Sequence, residues 1–489
     1  MTPNEKNILF VIPGYSFIED YQKMLYYNDI PLGTLQLSAL LKEKASVRTN
    51  IVDMRIESER EGALTTHSSS KNGLQKAILR VMENKGIDEF DNLGINCYTS
   101  YQYLYTKILA DIIKESYPDK KIIVGGYHST AVPEDFNFIG SPFDYVIRGE
   151  ADLILLDLFA RDELNKRRQQ EFPRELISNE VIKMEAIPFP DYHLYLDQYP
   201  NRNDLNFEFY MSRGCPYQCA FCATNYPFRS MGFNRFKVQF EKFRKIVEEK
   251  NRKQLKIGFS DQAFCSVPIQ EKVLDYIQKN GYNDQFIFSC QSRIETVAKD
   301  SKLLKKLRKN GFIVGFGFEA ASNYILKEMH KTDAPYEYVS MTLKILNEYK
   351  NTDGPYCRLN IVAGFPGETQ ESFNKTIDFI YQNALDENIQ ISPSLFSNYP
   401  NVFVYKNMEY YEQKFGTQFV REWWKTTENQ FKKSVPKPSK SYSLKQLIYD
   451  YKTKYISILK LFKRNTFANL MVWKRFYNKW YDELENSLQ

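Results

Sequence analysis

Met211-Ser-Arg-Gly-Cys-Pro-Tyr-Gln-Cys-Ala-Phe-Cys-Ala-Thr-Asn225 places Cys215, Cys219 and Cys222 in a C-x3-C-x2-C spacing. Three thiolates on one short loop can each hold an iron of a cubic iron–sulfur cluster. The missing fourth cysteine would leave one iron open to a small molecule. The alternatives are three structural cysteines, or a zinc site completed by a distant residue. Structural zinc usually takes paired C-x2-C modules, and the chain contains no second pair.

The sequence on either side of this loop alternates between short apolar runs and helical spacing. Glu208–Ser212 reads as the strand that delivers the loop. After it, Leu255–Ser260, Gln285–Cys290, Phe312–Phe318 and Arg358–Ala363 read as strands, with helices at Lys237–Glu249, Pro268–Lys279, Ser301–Lys309 and Tyr336–Tyr349. Each strand runs into polar or glycine residues: Ser260 and Asp261, then Arg293, Glu319 and Gly364-Phe-Pro-Gly-Glu-Thr369. Barrel enzymes place active sites at that end of their strands. Upstream, Asn7–Pro13, Arg48–Met54, Leu93–Tyr98, Lys121–Gly126 and Asp144–Gly149 read as buried parallel strands between helices. Gly125-Gly126 directly after a strand removes two side chains from a position where ligands bind such sheets.

The cysteine loop, with Phe221 before its third cysteine, resembles the radical S-adenosylmethionine (SAM) superfamily. Ile30-Pro-Leu-Gly33, Gly125-Gly-Tyr-His-Ser-Thr130 and Arg148-Gly-Glu150, in that order, resemble the cobalamin-binding domain that precedes many radical SAM cores. Ile187-Pro-Phe-Pro-Asp191 resembles that family's linker. The resemblance spans residues 7–400. It implies an α/β fold: an N-terminal doubly wound, Rossmann-like (flavodoxin-like) parallel sheet, a partial (β/α)6 barrel and a small C-terminal helical domain. The expected boundaries are 1–160 for the cobalamin domain, 161–203 for a linker, 204–404 for the barrel and 405–489 for a helical cap.

The resemblance also implies the cofactors and their contacts. Cys215, Cys219 and Cys222 would bind a 4Fe-4S cluster whose free iron chelates SAM. Reductive cleavage of SAM would then give a 5′-deoxyadenosyl radical. The SAM amine would meet Ser260 or Asp261, its carboxylate the fork of Arg293, and its ribose Glu319. Backbone at Gly364 and Gly367 would pack on adenine, with Phe365 and Phe221 covering it. Gly317-Phe-Glu-Ala resembles the family's Gly-x-Glu-Ser, with Ala320 where Ser is usual. Gly125, Gly126 and His128 would touch cobalamin. No His follows the first strand between Gly14 and Ile30, so cobalt would have no protein His below it. The implied reaction is methyl transfer from methylcobalamin to an unactivated carbon. Cyclisation or rearrangement with the same cofactors, or a cobalamin and redox sensory module, are the alternatives.

Composition is that of an ordinary globular chain, with 43% hydrophobic and 26% charged residues. Besides the loop cysteines, Cys97, Cys265, Cys290 and Cys357 are scattered singly, which is no disulfide framework and points to a reducing, cytoplasmic setting. The first residues lack a signal pattern, and no apolar run approaches the roughly 20 residues that span a bilayer. Net charge is +6, while residues 430–489 carry 13 Lys and Arg against 4 Asp and Glu. Such a tail reads as a solvated helical face; no RNA-binding motif accompanies it, so nucleic acid is not expected. Expected partners are a small-molecule or natural-product substrate and a reductant such as flavodoxin or ferredoxin. Leu444, Leu447, Ile448, Tyr451, Tyr455, Ile458, Leu459 and Phe462 make a helical stripe, continued by Leu470, Trp473, Phe476, Tyr477 and Trp480 in a second helix. Pro436-Lys-Pro438 reads as a linker before them.

Overall fold

The computed structural model describes residues 5–15, 29–61, 71–161, 164, 172–200, 202, 205–224, 226–249, 255–427, 430–455 and 457–458. They form two compact units: Met1–Leu205 with Glu422–Gln430, and Asn206–Arg421 with Phe431–Gln489.

The first unit is built on a six-stranded sheet, with strands β1 (Asn7–Ile12), β2 (Arg48–Asp53), β3 (Asn92–Asn96), β4 (Lys121–Gly125), β5 (Tyr145–Arg148) and β6 (Arg174–Ile177). Their order is β2-β1-β3-β4-β5-β6 and every pairing is parallel. All six side chains of β1 are buried, as a strand covered on both faces requires. The order reverses between β1 and β3. That is the switch point where a doubly wound sheet opens a crevice at its carboxyl edge. The described residues of 161–203, expected as a linker, belong to this unit. They supply β6 and the short helix Tyr192–Leu196. Tyr195 Oη donates to Asp53 Oδ2 at 2.7 Å, and Tyr199 Oη accepts from Asp53 N at 2.9 Å. Asp53 also holds Arg55 at 2.7 Å in a buried ion pair.

The second unit contains β7 (Phe207–Phe209), β10 (Leu255–Phe259), β11 (Phe286–Arg293), β12 (Ile313–Glu319), β13 (Cys357–Ala363) and β14 (Ile389–Leu395), all parallel. Their order across the sheet follows the sequence, so successive crossovers add in one direction, as in a partial barrel. A separate antiparallel pair, β8 (Ser212–Arg213) and β9 (Arg229–Ser230), closes the base of the cysteine loop. Phe209, Phe236, Phe240, Phe243, Phe259, Phe288 and Phe312 pack edge-on and stacked between β7, β10, β11 and the helix Phe233–Glu249. Aromatic pairs of this kind add about 0.5–1.5 kcal/mol each beyond their burial, which stiffens the first barrel strands.

One C-terminal expectation changes. Pro436-Lys-Pro438 is not a spacer. Pro438 O accepts from Gly367 N at 2.8 Å, and Lys437 bridges to Gln418. The helical stripe is described as a helix Leu444–Asp450 followed by a π-turn Tyr451–Tyr455, with Leu447, Ile448, Tyr451, Tyr455 and Ile458 buried. Leu459, Phe462 and the expected second helix lie outside the described residues.

Candidate active site at the carboxyl edge of the barrel

The cysteine loop leaves β7 and is fixed at both ends and in the middle. At its start, Asp261 accepts from Met211 N at 3.0 Å and from the Ser212 hydroxyl. Burial pushes the Asp261 carboxyl up to about 6, while these donors pull it back. Gly214 follows with φ +75°. A Cβ there would lie 2.4 Å from Tyr226 O, so only glycine fits. In the middle, Ala220 N donates to Met329 O at 2.8 Å, and Ala220 O accepts from Val404 N at 3.2 Å. Asn401 Nδ2 ties down Ala223 O at 3.1 Å.

This scaffold leaves Cys215, Cys219 and Cys222 half-buried, as free thiols. Cys222 N donates to Cys219 O at 3.0 Å, and Thr224 N lies 3.5 Å from Cys222 Sγ. Among the described residues no three His, Cys, Asp or Glu side chains converge to hold a single metal ion. A cubane does not ask for convergence, because each thiolate binds its own iron. Three thiols on one loop, each near the others electrostatically, suit that donor set.

Around Cys219 the strand ends bring together residues far apart in sequence. Arg293, the last residue of β11, donates from Nη1 to Cys219 Sγ at 3.3 Å. Its Nη2 donates to Glu295 Oε1 at 3.0 Å and to Lys331 O. Its guanidinium lies 4.0 Å from the centroid of the Tyr217 ring. Glu319, the last residue of β12, has φ +66° and binds Lys331 Nζ at 2.8 Å, with both residues buried. Lys331 Nζ also stands 6.0 Å from the Phe221 ring. Burial raises the Cys219 thiol, and Lys331 and Arg293 act against it.

The structure therefore assembles Phe221, Arg293 and Glu319 beside the cysteine loop. It places Ser260 half-buried at the end of β10, its hydroxyl 3.4 Å from Phe209 O. Asp261 is fully engaged as the clamp of the loop. Gly364 and Gly367 both have positive φ, but the close approach there is made by protein. Their Cβ atoms would lie 2.6 Å from Leu447 and 3.1 Å from Phe415. Phe365 is buried in a core with Ala220, Phe396 and Tyr411, not presented to a ligand. Lys331, Tyr217 and Glu295 were not singled out in the sequence. Their signal is weak, because a lysine after a helix and a tyrosine in a loop look like surface residues until packing buries the one and half-covers the other.

In the first unit, Gly126 has φ +113°, and a Cβ would strike Cys97 O at 2.4 Å. Gly125 has open space, with Ile147 Cβ at 3.9 Å the nearest atom. His128 is fully buried. Its Nδ1 pairs with Ser100 Oγ at 2.9 Å and its Nε2 with Asp135 Oδ2 at 3.1 Å. Trp424 Nε1 and Lys425 Nζ also bind Asp135, at 2.6 and 2.8 Å. Burial lowers the imidazole pKa, and the bond to Asp135 opposes that shift. With both nitrogens committed, His128 serves the interior of its unit and offers no nitrogen to a corrin's periphery.

The sequence profile described as the radical SAM superfamily matches residues 209–380, from the end of β7 to the helix after β13. An uncharacterized methyltransferase of Pyrococcus horikoshii is 26% identical over 73% of this chain and 74% of its own length. An anaerobic magnesium-protoporphyrin IX monomethyl ester cyclase of Cereibacter sphaeroides is 23% identical over 54% of this chain and 45% of its own. A bacteriochlorophyllide d C-12(1)-methyltransferase of Chlorobaculum tepidum is 21% identical over 55% and 56%. The chain thus spans about half the length of the last two. With the cysteine loop and the sequential parallel sheet, residues 209–380 of this chain form a radical SAM domain, and over a longer stretch the chain is similar to proteins named as methyltransferases and as a cyclase.

Proposed function

We propose that the protein is a cobalamin-dependent radical SAM methyltransferase acting on an unactivated carbon of a small-molecule substrate. The observation that carries the radical half is the cysteine loop, pinned at Met211, Ala220 and Ala223 with three free thiols at the carboxyl edge of the barrel. The cobalamin half is supported by the switch point between β1 and β3, by the open space over Gly125, and by relatives named as methyltransferases. The commitment of His128 to Ser100 and Asp135 suits a corrin held without that histidine.

When bound, the cluster supplies the electron that cleaves SAM, and cobalamin supplies the methyl group. The chain's own residues position and shield. Cys215, Cys219 and Cys222 hold the cluster. Ser260, Arg293 and the Glu319–Lys331 pair line the edge where the amine, carboxylate and ribose of SAM would be recognised. Phe221, packed against the buried cluster of Phe365 and Ala220, excludes water from one side of that edge.

The test is anaerobic reconstitution followed by product analysis. Wild type should bind iron and sulfide, retain cobalamin by absorbance, form 5′-deoxyadenosine with dithionite, and give a product heavier by one methyl group. Cys219→Ala should lose the cluster and all 5′-deoxyadenosine. A protein that retains no cobalamin under these conditions contradicts the proposal. The relative named as a cyclase favours a second reading, in which 5′-deoxyadenosine forms but the product carries no added methyl.

A further inference from the structure

We infer that Arg293 is a positioning residue that sets the reduction potential of the cluster through its hydrogen bond to Cys219. This rests on the reading that the loop holds a 4Fe-4S cluster. The three thiols are not equivalent. Among the described residues, the hydrogen bonds to the Cys215 and Cys222 sulfurs come from backbone N–H groups, those of Tyr217 and Thr224. Among the described residues, Cys219 is the one of the three that receives a side-chain donor, a guanidinium N–H at 3.3 Å.

That donor is held rigidly. Glu295 and the Lys331 carbonyl take the other end of the fork, and the Tyr217 ring supports its face at 4.0 Å. Tyr217 is itself anchored by Ser266 and Thr296, at 3.1 and 3.2 Å. Three of the five N–H groups of Arg293 are thus committed inside the protein. Hydrogen bonds to cluster sulfurs draw charge from the thiolate and stabilise the reduced, more negative cluster, which raises its potential.

The Lys331 ammonium, paired with Glu319, also acts on this sulfur through space. Arg293 is the cation that reaches it at hydrogen-bond distance, and the variants below leave the Lys331–Glu319 pair in place.

The experiment is a SAM-free redox titration of the reconstituted cluster, followed by electron paramagnetic resonance, in wild type, Arg293→Lys and Arg293→Gln at matched iron and sulfide content. The midpoint should fall in Arg293→Gln, with Arg293→Lys between it and wild type. Tyr217→Leu, which keeps every cysteine and the arginine, should shift it the same way by loosening the fork. If Arg293→Gln fails to hold a cluster, the Tyr217→Leu shift decides. Equal midpoints across the variants, with a loss of SAM affinity only, would overturn the inference and make Arg293 a plain SAM ligand. Failure of every protein to assemble a cluster would instead refute the radical SAM reading beneath it.

Discussion

Lys331 and Glu319 form an ion pair whose side chains are 5% and 7% exposed, beside the cysteine loop. Two buried charges are tolerable only together, and breaking such a pair typically costs about 3–5 kcal/mol. Lys331→Met should therefore lower the thermal midpoint of the second unit and weaken cluster retention. Restoration of both by Lys331→Met with Glu319→Gln would show that the unpaired carboxylate is the cause. An unchanged melting curve in the single variant would count against this. Glu368 is buried, and among the described residues its carboxylate accepts from Gly364 N, at 2.5 Å; burial pushes its carboxyl up to about 8. The folded state then binds a proton that the unfolded state releases. The neutral acid's contribution is complete below the ordinary glutamate pKa of about 4.3, and is lost as pH rises through 8. Glu368→Gln should match wild type near pH 5 and exceed it above pH 8, by an amount on the order of a few kcal/mol. A constant difference across pH would refute the assignment.

Single strands and loops divide the two glycines after β4. Both were expected to face a cofactor. Gly126 is required by its own fold, since its φ is +113° and Cys97 O occupies the Cβ position. Strain at such positions is of order 1–3 kcal/mol before the clash is added. Gly126→Ala should lower the melting temperature of the first unit. Gly125→Ala should leave melting unchanged but lower cobalamin retention, because its Cβ would point into open space. Reversed outcomes would reassign the two. The Gly364–Thr369 loop shows the same point. Its glycines read as room for adenine, yet Leu447 and Phe415 fill that room. Sequence reports that a Cβ is missing. It does not report what takes the space.

Across the whole chain, the largest departure from sequence order is Glu422–Gln430, which belongs to the first unit although it lies after the barrel. Trp423 and Trp424 are fully buried there, Trp423 with its ring 4.7 Å from Tyr101 and Trp424 with its ring 5.4 Å from His128. Truncating such a side chain costs about 3–5 kcal/mol. Trp424→Ala should selectively lower the unfolding transition of the first unit by calorimetry, and Trp424→Phe should lower it less. The Phe deficit would measure the lost bond to Asp135. Equal loss in both units would show that the segment is not specific to the first. Most of the architecture was legible: alternating apolar runs and helical spacings predict parallel strands, and ten of them were found in place. β6, with its half-exposed Arg-Glu-Leu-Ile, and β14, interrupted by Pro393, carry too little apolar signal to be read. No helix among the described residues is long and apolar enough to cross a membrane.

The sequence by itself determined the cysteine loop, the two parallel sheets and the placement of Arg293 and Glu319 at strand ends. Those properties follow from local spacing and from the fixed periods of helix and strand. Only the tertiary structure decided that Arg293 bonds a cysteine sulfur, that Lys331 is buried against Glu319, and that His128 is enclosed by Trp424 and Asp135. Each of these joins residues distant along the chain, and no local pattern encodes which side chains a folded core will press together.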